Sequence, residues 1–320
     1  MKLQTTVIPR KDEIALSHSN KVLLVGSCFT DSIGEKLDYF GFRCMRNPFG
    51  ILYNPFSIAQ CLEYCIVNRK MSDDDIVFNN HLWHSWYHHS KFSDVSKEKC
   101  VENCNIKIEE AHLFLKDVDY IFITWGTALI YTLIEQGIVV GNCHKIPGTY
   151  FDRRLLMVEE IAKRYMALEQ KLLAYNPKAE ILLTVSPIRH WKEGYRENQL
   201  SKSVLHLAVD KLQSQSAMYH YFPSYEIVMD ELRDYRFFEA DMLHPSAVAI
   251  EIIWEKFLDA YTSEGTKNIC AVMDKYQKMK QHRPFYPDSD DYKAHQSKMA
   301  QIECRLKELV GQDFLCSVGK

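Results

Sequence analysis

Two short stretches combine residue types suited to acyl transfer. Ser27 stands in Gly26-Ser27-Cys28-Phe29, directly after the apolar run 21–25 (KVLLV). A serine hydroxyl is a weak nucleophile until a neighbouring base takes its proton. Asp241-Met242-Leu243-His244-Pro245 can supply that base. A carboxylate three residues before a histidine can bond one ring nitrogen, fix the tautomer and leave the other nitrogen free. The triad expected is therefore Ser27 as nucleophile, His244 as base and Asp241 as its orienting acid. Each motif alone has a structural explanation: a serine at a strand end often caps a helix, and an aspartate often caps a loop. Their pairing and chain order carry the reading.

The elements around Ser27 must hold its hydroxyl at a sheet edge. Residues 21–25 read as a buried parallel strand that ends at Gly26. Apolar residues then recur at Ile33, Leu37 and Phe40, with Gly41 as a helix stop. Ser27 thus lies where a strand gives way to a helix. That is the ligand crevice of open α/β sheets, and it offers unpaired helix N–H groups to an oxyanion. Further strands are expected at 41–46, 120–124, 181–185 and about 218–222. Helices are expected at 55–67, about 106–116, 158–175, about 200–213 and 245–258. A small hairpin is expected at 131–133 and 138–140, and residues 70–100 read as a long surface excursion. Strands alternating with helices predict an α/β fold with a doubly wound, mostly parallel sheet. Residues 1–261 form the expected main domain. Residues 262–320, helical around the irregular HRPFYPDSDD, form a C-terminal helical appendage.

The chain has 320 residues, 47% of them hydrophobic, which suffices for one large core. Its net charge is −3, so a nucleic-acid partner is not expected. No run of 18 apolar residues occurs and no apolar signal core opens the chain. A membrane association is therefore not expected, and a cytoplasmic location is. The ten cysteines show no compact framework and read as reduced thiols.

Longer blocks surround these motifs: GSCFTDSIGEKL at 26–37, NPFGILYNPFSI at 47–58, TWGTA at 124–128, NCHK at 142–145, TVSPIRHW at 184–191 and YFPSYEIVMDELRDYRFFEADMLHPS at 221–246. The chain resembles the GSCFA family, a branch related to the SGNH (GDSL-type) hydrolases. The resemblance implies an SGNH-hydrolase-like three-layer α/β/α fold. It also implies a serine ester hydrolase or acyl-ester transferase without cofactor, acting on small acyl esters or acylated carbohydrate. It places Ser27 at the nucleophile, Asp241 and His244 at the Asp-x-x-His block, and the backbone N–H groups of Ser27 and Gly50 in the oxyanion hole. The SGNH Gly-x-Asn-Asp block is here Gly126-Thr127-Ala128-Leu129, so its amide donor is missing. Thr127, Asn142 or His190 are the candidate replacements. Asn54, Gly126, His144, Arg189 and His190 are expected to bind substrate.

Other readings compete. If Ser27 faces the cleft, Cys28 points elsewhere, and Cys143-His144 are too close in sequence to act as nucleophile and base. His84 and His88 would share a helix face as metal ligands only if that segment were helical; with His81 they define a metal-dependent alternative. The altered third block allows a further alternative, a ligand-binding module that has lost turnover.

Overall fold

Short runs of Val, Leu and Ile form the centre of the molecule because they satisfy their backbone in a sheet and bury both faces. The structure, a computed structural model, describes residues 5–11, 14–192 and 194–310. The chain runs β1 (Lys21–Gly26), α1 (Cys28–Tyr39), β2 (Arg43–Arg46), α2 (Pro55–Ile66), β3 (Ile76–Asn79), β4 (Leu82–Ser85) and α3 (Lys97–Leu115). It continues through β5 (Tyr120–Trp125), β6 (Leu129–Leu133), β7 (Ile138–Val139), β8 (Phe151–Leu155), α4 (Val158–Tyr175), β9 (Glu180–Val185), α5 (Tyr195–Gln215) and β10 (Tyr219–Tyr221). A helical turn, α6 (Ser224–Glu226), precedes α7 (Ala247–Tyr261), α8 (Glu264–Gln281) and α9 (Asp290–Val310).

The main sheet has five parallel strands in the order β10-β9-β5-β1-β2. Alternate residues serve opposite layers. Leu23, Val25, Ile121, Ile123, Ile181 and Leu183 pack against α2, α3, α4 and α5. Val22, Leu24, Phe122 and Leu182 pack against α1 and α7 through Phe29, Ile33, Ile253 and Trp254. This is the doubly wound three-layer α/β/α arrangement. After β1 the chain passes to β2 on one side, then crosses to β5 on the other. The topological switch point therefore lies between the carboxyl ends of β1 and β5, where Ser27–Cys28 and Gly126 emerge.

Several expectations need correction. Residues 70–100 are not a surface excursion. They form the β3–β4 hairpin and bury Trp86, Tyr87 and Phe92 in the core. Their aromatic burial follows no simple period, which hid it. Helix α3 starts at Lys97, where the Ser96 hydroxyl accepts the Lys99 N–H at 3.2 Å. Strand β8, unanticipated, completes a three-stranded antiparallel sheet with β6 and β7. Its three exposed charged residues gave no alternating apolar signal. Helix α7 begins two residues after Pro245, capped by Ser246, whose hydroxyl accepts the Ala249 N–H at 3.4 Å. Helices α8 and α9 pack together through Met273, Tyr276 and Leu306. Among the described residues no helix is long and apolar enough to cross a membrane.

Candidate active site

The loop after β1 is held by its neighbours on both sides. Gly26 has φ +150°, and a Cβ there would lie 2.3 Å from the Thr124 carbonyl oxygen. Only glycine fits so close to the adjacent strand. The Asn47 side chain accepts the Gly26 N–H at 2.9 Å and donates to Asp31 at 2.8 Å. It thereby pins the end of β2 to the start of α1. Ser27 remains in the ladder, its N–H donating to Thr124 O at 3.2 Å. Its side chain is buried on the β5 side, close to Gly126, and its hydroxyl has no partner. Cys28 opens α1 and is only partly buried.

The second motif folds as one tight loop. Glu239 N–H donates to His244 O at 2.8 Å, and Met242 takes φ +60°. Asp241 Oδ1 accepts the N–H groups of Leu243 (2.9 Å) and His244 (3.0 Å). Its Oδ2 accepts Nδ1–H of His244 at 2.5 Å. The two backbone donors, then the imidazole, hold the Asp241 carboxyl down at about 2. The ring is thus fixed with Nε2 outward. Before this loop Arg236 pairs with Asp234 at 2.9 Å. Glu226 accepts the Tyr221 hydroxyl at 2.8 Å.

His244 Nε2 meets Cys28, not Ser27. The Cys28 thiol is 3.7 Å from Nε2, within sulfur hydrogen-bond range. The expected contact between Ser27 and His244 is not formed: the Ser27 hydroxyl is buried without a hydrogen-bond partner. A helix N-terminus and a histidine favour a thiolate. The Cys28 and Phe29 N–H groups and the Lys202 charge act in that direction at Cys28. Burial is larger and, with Asp31, raises the thiol above its ordinary value. The His244 imidazole is in contact with this thiol.

The expected oxyanion donors are engaged elsewhere. Ser27 N–H is spent on Thr124, and Gly50 N–H closes a turn onto Asn47 O at 2.7 Å. The Thr127 hydroxyl lies 3.0 Å from Ser201 Oγ and accepts the Leu129 N–H. Asn142 accepts the His144 N–H and reaches Ser90 at 3.5 Å. The backbone donors facing the Cys28 sulfur are instead its own N–H and that of Phe29, at the start of α1.

A cavity of about 520 Å³ is lined in part by Tyr53, Asn54, Thr127, Asn142, His144 and His190, and Cys28, Asp241 and His244 are not among its lining residues. Tyr53 and His190 meet edge to face, ring centroids 5.4 Å apart, on its wall. Burial, then Lys202 and His244, lower His190 to about 4, so it stays neutral near pH 7. Asn54 is not free for substrate: it caps α2 through Ser57. Gly126 O accepts from Lys202, and Arg189 lies over the Trp191 ring. A larger cavity of about 680 Å³ runs between β2 and α3. The segment after β4 is a turn rather than a helix, so His84 and His88 do not share a helix face. His84 bonds Ser93 and Asn79 O, and His88 bonds Ser85.

The GSCFA family model matches residues 21–257, spanning the whole sheet and both motifs. The chain belongs to the GSCFA family. No curated protein is detectably similar in sequence. Among solved structures, a Streptococcus pneumonia protein provisionally described as a platelet activating factor is 14% identical. The likeness covers 75% of this chain and 83% of that one, at TM-score 0.39. A Corynascus thermopiles (Myceliophthora fergusii) carbohydrate esterase family 2 enzyme with a carbohydrate binding domain is 11% identical. Here 80% of this chain and 67% of that one are covered, at TM-score 0.36. Neither likeness is close enough to bear on this chain's chemistry.

Three polar residues on α5 were not anticipated. Asn198 accepts the His190 N–H at 2.9 Å, Ser201 accepts the Ala128 N–H at 2.7 Å, and Lys202 donates to Gly126 O and Ser186 O, each at 2.7 Å. All three are buried on the face that continues as Leu205, Ala208 and Leu212. Polar residues on an apolar helical face were the available signal.

Proposed function

We propose that this GSCFA protein is a cysteine-dependent ester hydrolase or acyl-ester transferase. The Cys28–His244–Asp241 relay, with contacts of 3.7 and 2.5 Å, carries the reading. His244 Nε2 takes the thiol proton as sulfur bonds the ester carbonyl carbon. The oxyanion faces the N–H groups of Cys28 and Phe29. The carbon–oxygen ester bond breaks, and the leaving oxygen receives the proton from His244. A thioester remains on Cys28. Water, or an acceptor hydroxyl, then attacks it while His244 takes and returns a proton. Asp241 keeps the ring oriented and stabilises its charged form. The partner is a small acyl ester or acylated carbohydrate that enters the cavity beside Tyr53 and His190. The test is turnover of p-nitrophenyl acetate and acetylated sugars, with mass-spectrometric detection of an acyl group on Cys28. Acylation of another residue, with Cys28→Ala fully active, would overturn the reading.

One observation favours a second reading, a ligand-binding module without turnover. The N–H groups of Ser27 and Gly50 are both engaged internally. That reading predicts saturable binding of an acylated glycan and no acyl-enzyme.

A further inference from the structure

The cavity of about 520 Å³ carries charge of one sign. Lys145 and Lys192 line it, and among the described residues no aspartate or glutamate does. Both lysines are exposed, and neither has an ion-pair partner among the described residues. Burial lowers His144 and His190 to about 4, so near pH 7 the two ammonium groups are the charge of the cavity. Leu129, Val140, Ile146 and Phe151 give it an apolar wall. The larger cavity differs, because Glu110 lines it and pairs with Lys107. The backbone that presents Lys145 is strained. His144 and Lys145 take φ +47° and +62°, two successive left-handed residues that are not glycine. Such residues persist only where their surroundings hold them, and they gather at functional sites. Here Asn79 donates to His144 O at 2.8 Å, the His144 ring donates to Ser85 O at 2.7 Å, and Gly141 N–H donates to Trp86 O at 2.7 Å. Lys192 follows His190, whose N–H is held by Asn198 at 2.9 Å.

We propose that this cavity selects an ester bearing an anionic group, a carboxylate or a phosphate, which seats at Lys145 and Lys192 with its apolar body against Leu129, Val140, Ile146 and Phe151. This rests on the reading that the substrate enters beside Tyr53. Contacts join that wall to the nucleophile's loop. Tyr53 O accepts the N–H groups of Gly126 at 2.7 Å and Thr127 at 3.0 Å. A Cβ on Gly126 would lie 3.2 Å from Tyr53 Cδ1 and 3.3 Å from Ser27 Cβ. The cavity wall and the residue before Cys28 therefore close on one α-carbon. A lysine ammonium binds carboxylate and phosphate alike as a compact point charge. No internal acid has to be displaced when the anion arrives.

The experiment is calorimetric titration of the full-length protein with hexanoate, hexyl phosphate and neutral hexanamide. None of the three is a carboxylic ester, so binding is read without turnover. The wild type should bind at least one of the anions about 10-fold more tightly than hexanamide. The tighter anion names the group. Lys145→Asn, which suits the left-handed backbone, and Lys192→Gln remove the charges. The double variant should bind anion and amide within about twofold of each other. A wild type that binds hexanamide as tightly as both anions overturns the proposal, as does a double variant that keeps the anion preference. If the double variant does not fold, as judged by circular dichroism, Lys192→Gln alone carries the test: a loss of about threefold is expected, and no loss overturns it. Turnover then separates this proposal from the catalytic reading. KM for mono-p-nitrophenyl glutarate should rise about 10-fold in the double variant, with KM for p-nitrophenyl acetate unchanged. Anion preference without hydrolysis of either ester sinks the catalytic reading and leaves the anion site standing. Hydrolysis without anion preference does the reverse.

Discussion

The Cys28 sulfur stands 3.7 Å from His244 Nε2, although 216 residues separate the two in sequence. The hydroxyl of Ser27, one residue earlier, is buried and unpartnered. The difference comes from the β1–α1 junction. Ser27 still belongs to the ladder with β5, so its side chain turns over the neighbouring strand toward Gly126. Cys28 is the first helical residue, partly exposed at the switch point.

Asp241→Asn should keep the fold and lose rate. An amide cannot reproduce the carboxylate's hold on Nδ1–H, and the imidazole loses its tautomer preference. A fall of about 10²–10⁴-fold in kcat is expected, with KM little changed. Steady-state kinetics on a chromogenic ester check it; an unchanged kcat would remove Asp241 from the relay.

Gly26→Ala should destabilise the protein. The added methyl meets the Thr124 carbonyl oxygen at 2.3 Å, and φ +150° is unfavourable for alanine. A loss of about 2–4 kcal/mol is expected from strain and overpacking combined. Urea unfolding measures it through the midpoint.

Stability should fall as pH drops below about 6.5. Burial lowers His88 to about 3, and His144 and His190 to about 4. The unfolded chain binds protons at these rings from about pH 6.5 downward, while the folded chain refuses them until about pH 4. The unfolded state therefore binds more protons in that window, and acid favours it. Thermal melts from pH 7 to 4 should show Tm falling between pH 6.5 and 4. A flat Tm through that window would contradict the neutral burial of these rings.

The alternation of strands and helices was legible in the sequence because KVLLV, YIFIT and ILLTV are short, apolar, β-branched-rich runs with clear stops. Strand β8 and the β3–β4 hairpin were not, since charged and aromatic residues there follow local contacts rather than a period. The Asp241–His244 contact was legible because four consecutive residues make it. Which of Ser27 and Cys28 meets His244 was not. That depends on where the ladder ends and the helix begins, a matter of one residue. The clamp by Asn198, Ser201 and Lys202 was equally hidden, because its partners are backbone carbonyls and N–H groups of distant loops.

The comparison of Ser27→Ala with Cys28→Ala bears most directly on the account. Removing an unpartnered buried hydroxyl should leave stability near wild type. Ester turnover by Ser27→Ala should stay within about threefold of wild type, while Cys28→Ala should lose at least about 10³-fold in kcat. Background activity in Ser27→Ala together with full activity in Cys28→Ala would contradict it.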